Sequence, residues 1–481
     1  MTTFEFRNKP FIVICGCTGT GKTKLSIQLA EWLIQNGKKC EIINADAMQL
    51  YKNLDVITNK ATVEEMKGIK HHLIGYLDST CITNHVIDYK NEAVPLIDDL
   101  LKRDVVPILV GGTHYYIQSI IWDILIEKNT ELNLNAKKAE LKNLNDSNSN
   151  IVKLILESLD ESIVNEDEKV DLNVRLHDSN IKTEEIYEEL CKVDLQSAQK
   201  IHPNDRRKLC RALQIYYTFG IAKSELLDAK NKREGTNFPL RYKNVCLFVM
   251  NCETETLNKR LDDRVDQMIT MGLLKEIENF KKEFLEKFPN QNFKEYSRDF
   301  EFGIFQSIGF KEFDEYFKYI DSVCSEKIDE KKKKEFFDKA ILDMKISTRR
   351  YAKIQIRWVK NRFIKRSEKN SPIVHELDTT DLNKWNENIF QKAVDKFTDY
   401  MTRFESDNQV ELNKSDKNES VDEVFEFNKC EICNKIFVNK FQWDCHIKGA
   451  SHKKRKENLR RKEERNKMEN LEKLKSEVKQ E

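Results

Sequence analysis

The chain has 481 residues, 34% of them charged and 39% hydrophobic, and its 82 Lys and Arg against 81 Asp and Glu leave a net charge of +1. At about 150 residues per domain the length suggests two to four domains, and the low apolar share points to solvated or disordered stretches. The balance excludes a globally basic nucleic-acid binder but not local basic patches, and 14 Gly and seven Pro argue against a loop-rich β or collagenous chain.

Met1 to Pro10 carries Glu5, Arg7 and Lys9 and no apolar stretch, so no secretory leader is expected. No run approaches the roughly 18–20 apolar residues of a membrane span, and no membrane role is expected. The twelve cysteines are therefore expected as reduced thiols, with close spacing among them signalling metal. A cytoplasmic location is expected, with nuclear and mitochondrial pools as alternatives.

In chain order, Phe11-Ile-Val-Ile-Cys15 reads as a strand, Gly16 to Gly21 as a glycine loop, and Lys22 to Gln35 as a helix with Leu25, Leu29 and Leu33 on one face. Cys40–Asn44, Val105–Val110 and Val245–Met250 read as further buried strands separated by helix-period segments, which predicts a parallel sheet. Residues 127–150 are polar and rich in Asn, Leu and Lys, and lead into a helical segment ending near Lys200. Arg206–Phe219 predicts a basic amphipathic helix, and Asp262–Phe280 and Phe337–Arg362 predict long ones. Glu405–Asp422 is acidic and nearly free of large apolar residues, as a linker would be. The expected partition is a core in two parts (1–126 and 201–365), a helical insertion domain (127–200), a connecting segment with the linker (366–422), a finger (423–456) and a charged helical tail (457–481). The fold class expected is α/β, a phosphate-loop NTPase-like parallel sheet with a helical insertion domain and a C-terminal zinc finger.

Gly16-Cys17-Thr18-Gly19-Thr20-Gly21-Lys22-Thr23 follows a strand and opens a helix, the context of a phosphate loop. Its backbone N–H groups and the helix N-terminus suit phosphate oxygens, Lys22 adds a point charge, and Thr23 offers a hydroxyl to Mg²⁺ or an oxygen. The loop specifies a phosphorylated ligand without saying which.

Cys430-x₂-Cys433-x₁₂-His446-x₅-His452 has C₂H₂ spacing, with Phe437 and Trp443 at core positions. Two thiolates and two imidazoles close a tetrahedral site, so the Zn²⁺ expected there is structural. Cys445 adjoins His446 as a bystander. The spacing between the histidines resembles that of RNA-binding fingers, and Lys453 to Lys467 holds nine basic and three acidic residues, which favours phosphate contact.

Eight ordered blocks between about residues 10 and 362 resemble the tRNA dimethylallyltransferases (tRNA isopentenyltransferases). They are the phosphate loop, Ile43-Asn-Ala-Asp46-Ala-Met-Gln49-Leu-Tyr51, His71-His-Leu-Ile-Gly75, Val110-Gly-Gly-Thr113-His-Tyr-Tyr and Arg211-Ala-Leu-Gln-Ile. Arg264-Val-Asp-Gln-Met268, Gln306-Ser-Ile-Gly-Phe-Lys-Glu312 and Arg350-Tyr-Ala-Lys-Ile-Gln355-Ile-Arg-Trp358 complete the set. The finger matches eukaryotic members. The resemblance implies transfer of a dimethylallyl group from dimethylallyl diphosphate to N6 of the adenosine just 3′ of the anticodon in tRNA, by a monomer. It implies Asp46 as the base, Arg264 and Thr23 as further catalytic residues, and Gly16–Thr23 with Mg²⁺ as the diphosphate site. It further implies that Asp46, Ala47, Met48 and Gln49 meet a flipped-out adenosine, that Thr113 lies at the tRNA channel, and that Arg207, Lys208, Arg211 and the insertion domain contact tRNA.

Three departures stand out. Ala47 replaces a usual Ser, Gly220-Ile-Ala-Lys223 replaces a usual Gly-Lys, and residues 127–170 align with nothing. His71 and His72 are expected as structural residues. The competing readings are a small-molecule or nucleotide kinase on the same core, a prenyltransferase acting on free adenine nucleotides, and an RNA-binding protein with an inert core.

Overall fold

The computed structural model describes residues 5–82, 84–125, 151, 154, 181–227, 240–291, 293–297, 300–322, 328–365, 371–407, 428–433, 435–437, 440–449 and 452–461. Its contacts divide the chain into two units, Met1–Leu125 with Glu234–Ser415, and Ile126–Arg233 with Asp416–Glu481.

The first unit is built on β1 (Phe11–Gly16), β2 (Lys39–Asn44), β3 (His71–His72), β4 (Val105–Gly111), β5 (Val245–Asn251) and β6 (Val374–Asp378). They form one parallel sheet in the order β3-β2-β4-β1-β5-β6. Every residue of β1 is buried, as a central parallel strand covered on both faces requires. On one face Leu25, Leu29 and Leu33 of the helix Lys22–Gln35 join Trp385, Ile389 and Phe397 against Ile12, Ile14 and Phe248. On the other, Tyr89 and Ile97 of the helix Val86–Lys102 and Ile117 and Ile120 of the helix His114–Ile121 cover Val13, Ile43, Leu109 and Leu247.

The four expected strands are present. Two more, β3 and β6, lie at the sheet's edges, where a strand is covered less and its sequence is less apolar. β6 belongs to what the sequence suggested was a connecting segment, and that segment also supplies the helix Lys392–Asp407, whose Ala393, Val394 and Phe397 are buried in the core. The helix expected over Asp262–Phe280 is two helices, Thr254–Thr270 and Leu273–Lys287, because Gly272 turns left-handed at φ 95°. The last long helix runs Glu330–Val359 and ends in a π turn over Lys360–Ile364.

In the second unit the basic helix forms as expected over Arg206–Phe219, started by the Asp205 side chain on the Lys208 N–H and stopped by Gly220 at φ 67°. Its Leu209, Ala212 and Leu213 pack with Ile186 and Leu190 of the helix Thr183–Val193. The division at Arg233 and Glu234 thus groups this helix with the insertion, whereas the sequence partition assigned it to the second part of the core. Most of the 127–170 insertion and all of the linker beyond Asp407 lie outside the described residues. The finger is an antiparallel pair, β7 (Asn428–Cys430) and β8 (Lys435–Phe437), followed by the helix Lys440–Lys448. Residues 452–461 are helical, while the Phe437 and Cys445 side chains and residues 462–481 lie outside the described set.

Candidate active site

The site gathers at the carboxyl ends of β1, β2 and β4, where an open parallel sheet presents its loops. The phosphate loop leaves β1 at Gly16, where an added Cβ would stand 2.5 Å from the Met250 carbonyl oxygen. Under the loop, Thr20 Oγ1 and Lys22 Nζ both donate to the Cys17 carbonyl, each at 2.8 Å. Cys17 and Thr20 are buried, and burial pushes the Cys17 thiol up to about 11. The Thr23 side chain is exposed.

Asp46 ends the turn after β2. Its Oδ1 accepts the Met48 N–H at 3.1 Å, and its own N–H donates to Asn44 Oδ1 at 3.0 Å. Thr113, just beyond β4, accepts the Ala47 N–H on its hydroxyl at 2.9 Å and donates its own N–H to the Ala45 carbonyl at 3.1 Å. Ala47 therefore needs no side-chain hydroxyl to hold the turn. The Gln49 amide nitrogen donates to the Thr58 and Asn59 carbonyls at 3.2 and 3.1 Å.

Arg264, on the helix Thr254–Thr270, donates from Nη1 to Thr18 Oγ1 at 2.7 Å, which carries its guanidinium to the loop. On spacing alone Arg264 would pass for a surface charge beside Asp262, Asp263 and Asp266. The neighbours sort otherwise, since Asp262 pairs with Arg349 and Asp266 with Lys345 at 2.7 Å.

One cavity of about 490 Å³ joins these groups. Thr18, Gly19, Gly21, Lys22, Thr23, Asp46 and Arg264 line it, and Met48, Ile57, Val265, Met268, Ile308 and Met344 give it an apolar wall. Burial lowers Lys22, with Cys17 and Asp46 partly offsetting it, and burial lowers Arg264 against the pull of Asp46. Burial raises Asp46 despite Lys22 and Arg264. Two cations thus share one carboxylate and are held below their usual values, the electrostatics of a cavity that favours an anionic ligand.

Of the sequence-singled residues, the loop, Asp46, Met48, Gln49 and Arg264 meet at this cavity, and Ala47 and Thr113 stand behind its turn. Gln355 was quoted within a block but given no role. It is 3% exposed, its Oε1 accepts the Thr18 N–H at 2.9 Å, and its Nε2 donates to the Gly112 carbonyl at 2.9 Å, so it ties the phosphate loop to the end of β4. No sequence signal marks it, because its role is a contact with positions 337 and 243 residues away. His71 Nδ1 donates to the Ile69 carbonyl at 2.8 Å and His72 bonds Glu41, so the two imidazoles serve separate structural contacts.

In the second unit Arg207 and Lys208 are exposed and Arg211 half-buried on the basic helix. Lys208 pairs with Asp205 at 2.6 Å, and Arg211 donates to Gln214 at 2.7 Å. Lys223, from the segment where the chain departs from its expected pattern, joins them. Burial lowers it first, and Arg211 and Lys208 lower it further.

In the finger, His452 Nδ1 lies 3.5 Å from Cys430 Sγ, 3.6 Å from Cys433 Sγ and 3.2 Å from His446 Nε2. A tetrahedral Zn²⁺ with bonds of about 2.0–2.1 Å to nitrogen and 2.3 Å to sulfur separates its ligands by about 3.3 Å (N to N) and 3.6 Å (N to S). His452 Nδ1 stands at that spacing from the other three, and all four ligand atoms lie within 4.8 Å of one another. Among the described residues these four form the one Cys, His or carboxylate group placed to hold a metal.

The family model described as IPP transferase matches residues 49–362, well over half of the chain. The chain belongs to the IPP transferase family. A model of C2H2-type zinc fingers matches residues 429–452. The tRNA dimethylallyltransferase of Mus musculus is 34% identical over 452 residues, 93% of this chain and 85% of the mouse protein. That of Saccharomyces cerevisiae is 31% identical over 460 residues, 93% of this chain and 92% of the yeast protein. A solved structure of a eukaryotic dimethylallyltransferase acting on tRNA is 28% identical, with a TM-score of 0.66, covering 96% of this chain and all of that one. The IPP transferase match begins at Gln49, so the phosphate loop and Asp46 lie just ahead of it.

Proposed function

We propose that this chain transfers a dimethylallyl group from dimethylallyl diphosphate to N6 of the adenosine immediately 3′ of the anticodon in tRNA. The observation that carries the reading is a cavity lined both by the cationic phosphate loop and by an apolar set, Met48, Ile57, Val265, Met268, Ile308 and Met344, which suits a short branched hydrocarbon attached to a diphosphate. The curated names of relatives matched over nearly the whole chain supply the acceptor.

In this mechanism the loop N–H groups, Lys22 and Arg264 bind the diphosphate, and Met48, Ile57 and Met268 take the hydrocarbon. The N6 lone pair forms a bond to the allylic C1 while the C1–O bond breaks, and the electron pair departs with the diphosphate. Asp46 accepts the N6 proton, a role worth about 10²–10⁴ in rate. Burial raises its pKa, which makes the carboxylate a stronger proton acceptor than an exposed one. Lys22 and Arg264 stabilise the charge that grows on the leaving group. The exposed Thr23 hydroxyl is a hard oxygen donor that, with the diphosphate oxygens, fits Mg²⁺. When bound, the ion would neutralise diphosphate charge.

Asp46, Met48 and Gln49 would face the extruded adenosine, with Ala47 and Thr113 holding the turn that presents them at the tRNA channel, and Arg207, Lys208 and Arg211, with the finger and the basic residues after it, would meet tRNA phosphates. The apolar wall favours prenyl transfer over a kinase reaction, whose second substrate would be polar. We further propose a monomer working in the cytoplasm, with nuclear and mitochondrial shares open to localisation by tagging. The test is incubation of the chain with dimethylallyl diphosphate and total tRNA, followed by nucleoside analysis. Appearance of N6-isopentenyladenosine in tRNA supports the reading, and prenylation of free adenosine monophosphate alone would replace it.

A further inference from the structure

The segment after the IPP transferase match, which ends at residue 362, returns to the diphosphate site from two sides. β6 pairs with β5 in the register Met250 to Leu377 and Asn251 to Asp378, which brings the following residues to the start of the helix Thr254–Thr270. There the Thr379 and Thr380 carbonyls accept the Arg260 guanidinium at 2.8 and 2.7 Å, and Thr380 Oγ1 accepts the Glu253 N–H at 2.9 Å. Arg260 stands one helical turn before Arg264, so these bonds fix the helix that carries the arginine.

A few residues later the chain reaches the phosphate loop itself. Trp385 is 4% exposed, and its ring lies against Gly21, where an added Cβ would stand 2.7 and 2.9 Å from the ring carbons Cη2 and Cζ3. Gly21 holds φ 82°, a left-handed conformation that aims its peptide into the loop. A glycine is also the residue with most freedom to leave that conformation. The indole closes off that freedom from outside, and it is itself fixed, since Nε1 donates to Gln28 at 2.6 Å on the helix that begins at Lys22. Lys24 Nζ stands 4.5 Å over the same ring.

We propose that Trp385 is a positioning residue of the diphosphate site, holding Gly21 so that the loop N–H groups are aimed at phosphate before the donor arrives. The residues that clasp Arg260 do the same for the opposite wall. Preorganised donors of this kind bind an anion without reorganising, and misplacement by about 1 Å is enough to weaken such a site strongly. The proposal rests on the reading of the loop as the diphosphate site and extends it to a part of the chain beyond the family match.

The test uses the full chain and two measurements, the Kd for inorganic diphosphate with Mg²⁺ and the steady-state constants for dimethylallyl diphosphate and tRNA. Trp385→Ala is expected to raise the diphosphate Kd and the donor KM about tenfold while the tRNA KM moves less than about twofold, and Trp385→Phe to restore most of the loss. Gln28→Leu keeps the indole but frees it, and is expected to raise the diphosphate Kd about threefold. Diphosphate should also change the tryptophan fluorescence of the parent chain, and the change should be lost in Trp385→Phe. Unchanged diphosphate affinity in a folded Trp385→Ala variant overturns the proposal. If that variant does not fold, unchanged affinity in Gln28→Leu does so instead. A parent chain that binds diphosphate but transfers no prenyl group would count against the proposed function and leave this inference standing.

Discussion

Asp46→Asn separates the base from the scaffold more cleanly than removal of the side chain. The asparagine oxygen can still accept the Met48 N–H that Oδ1 accepts at 3.1 Å, and the Asp46 N–H to Asn44 bond is a backbone contact, so the turn persists. What is lost is proton acceptance, and the single-turnover rate at saturating donor and tRNA is expected to fall by about 10²–10⁴, some 3–5 kcal/mol in barrier. The donor KM should stay level or fall, because a negative charge beside Lys22 and Arg264 has been removed. The same substitution should stabilise the ligand-free protein. Burial raises the Asp46 pKa above its unfolded value of about 3.9, so the folded state favours the protonated carboxyl, and that advantage is lost as pH rises through the folded value. At pH 7 the ionised carboxylate works against folding, and Asp46→Asn should melt higher than the parent. The difference should shrink as pH falls below the unfolded value of about 3.9, where the carboxyl is protonated in both states. Rapid-quench transfer assays and thermal scans at several pH values measure both arms. A rate within about threefold of the parent would remove Asp46 from the role of base, and a lower melting point at pH 7 would refute the electrostatic argument.

Arg264→Ala should slow transfer at least about tenfold while leaving the circular dichroism spectrum intact, since Arg264 donates to the Thr18 hydroxyl at the loop and acts in the proposed reaction on leaving-group charge. An unchanged single-turnover rate would exclude it. Truncation after Asp407 should weaken tRNA binding about tenfold at matched salt and leave the rate at saturating tRNA within about threefold, because on the proposed function the finger and basic tail would meet tRNA phosphates and hold no reacting group. Filter binding against quench-flow separates the two. His114 is held down to about 3, by burial first and by Lys22 second, so its neutral form supports the fold above about pH 6.5 and that support is lost as pH falls toward 3. His114→Gln should flatten the fall in melting temperature between about pH 6.5 and 4, and an unaltered slope would contradict this.

The phosphate loop and the finger were legible because each is local. Gly16 to Thr23 sets its conformation through its own glycines, and the four zinc ligands lie within 23 residues, so spacing alone carries the geometry. The four central strands were legible because burial on both faces demands an apolar run. β6 was not. Val374-His-Glu-Leu-Asp378 has one fully buried residue, Leu377, as an edge strand allows, and it reads as polar linker. The break at Gly272 was hidden because an isolated glycine interrupts no apolar period, and nothing before the fold reveals that it has turned left-handed. The affiliation of the Arg206–Phe219 helix was hidden for another reason. Leu209, Ala212 and Leu213 show that one face is buried, but no periodicity names the surface that buries it. The roles of Gln355 and Trp385 are relations between distant positions, and no local pattern contains them.

Those relations have a consequence for how the protein is made. Thr18 finds Gln355 across 337 residues, and Gln28 finds Trp385 across 357. At a synthesis rate of about 5–20 residues per second, the phosphate loop leaves the ribosome some 20–70 s before the last residue that braces it exists. For the first part of that interval, until Asn251 is made, β1 also lacks β5, its partner from Phe11 to Gly16, and the Cys17 thiol lacks the cover of Leu257, Leu261 and Ala352. The nascent chain must therefore carry β1 with one edge unpaired until β5 is made, and an unbraced phosphate loop for longer still. Chaperone occupancy and oxidation of the uncovered Cys17 thiol should peak on ribosomes that have passed β1 and have not yet reached β5.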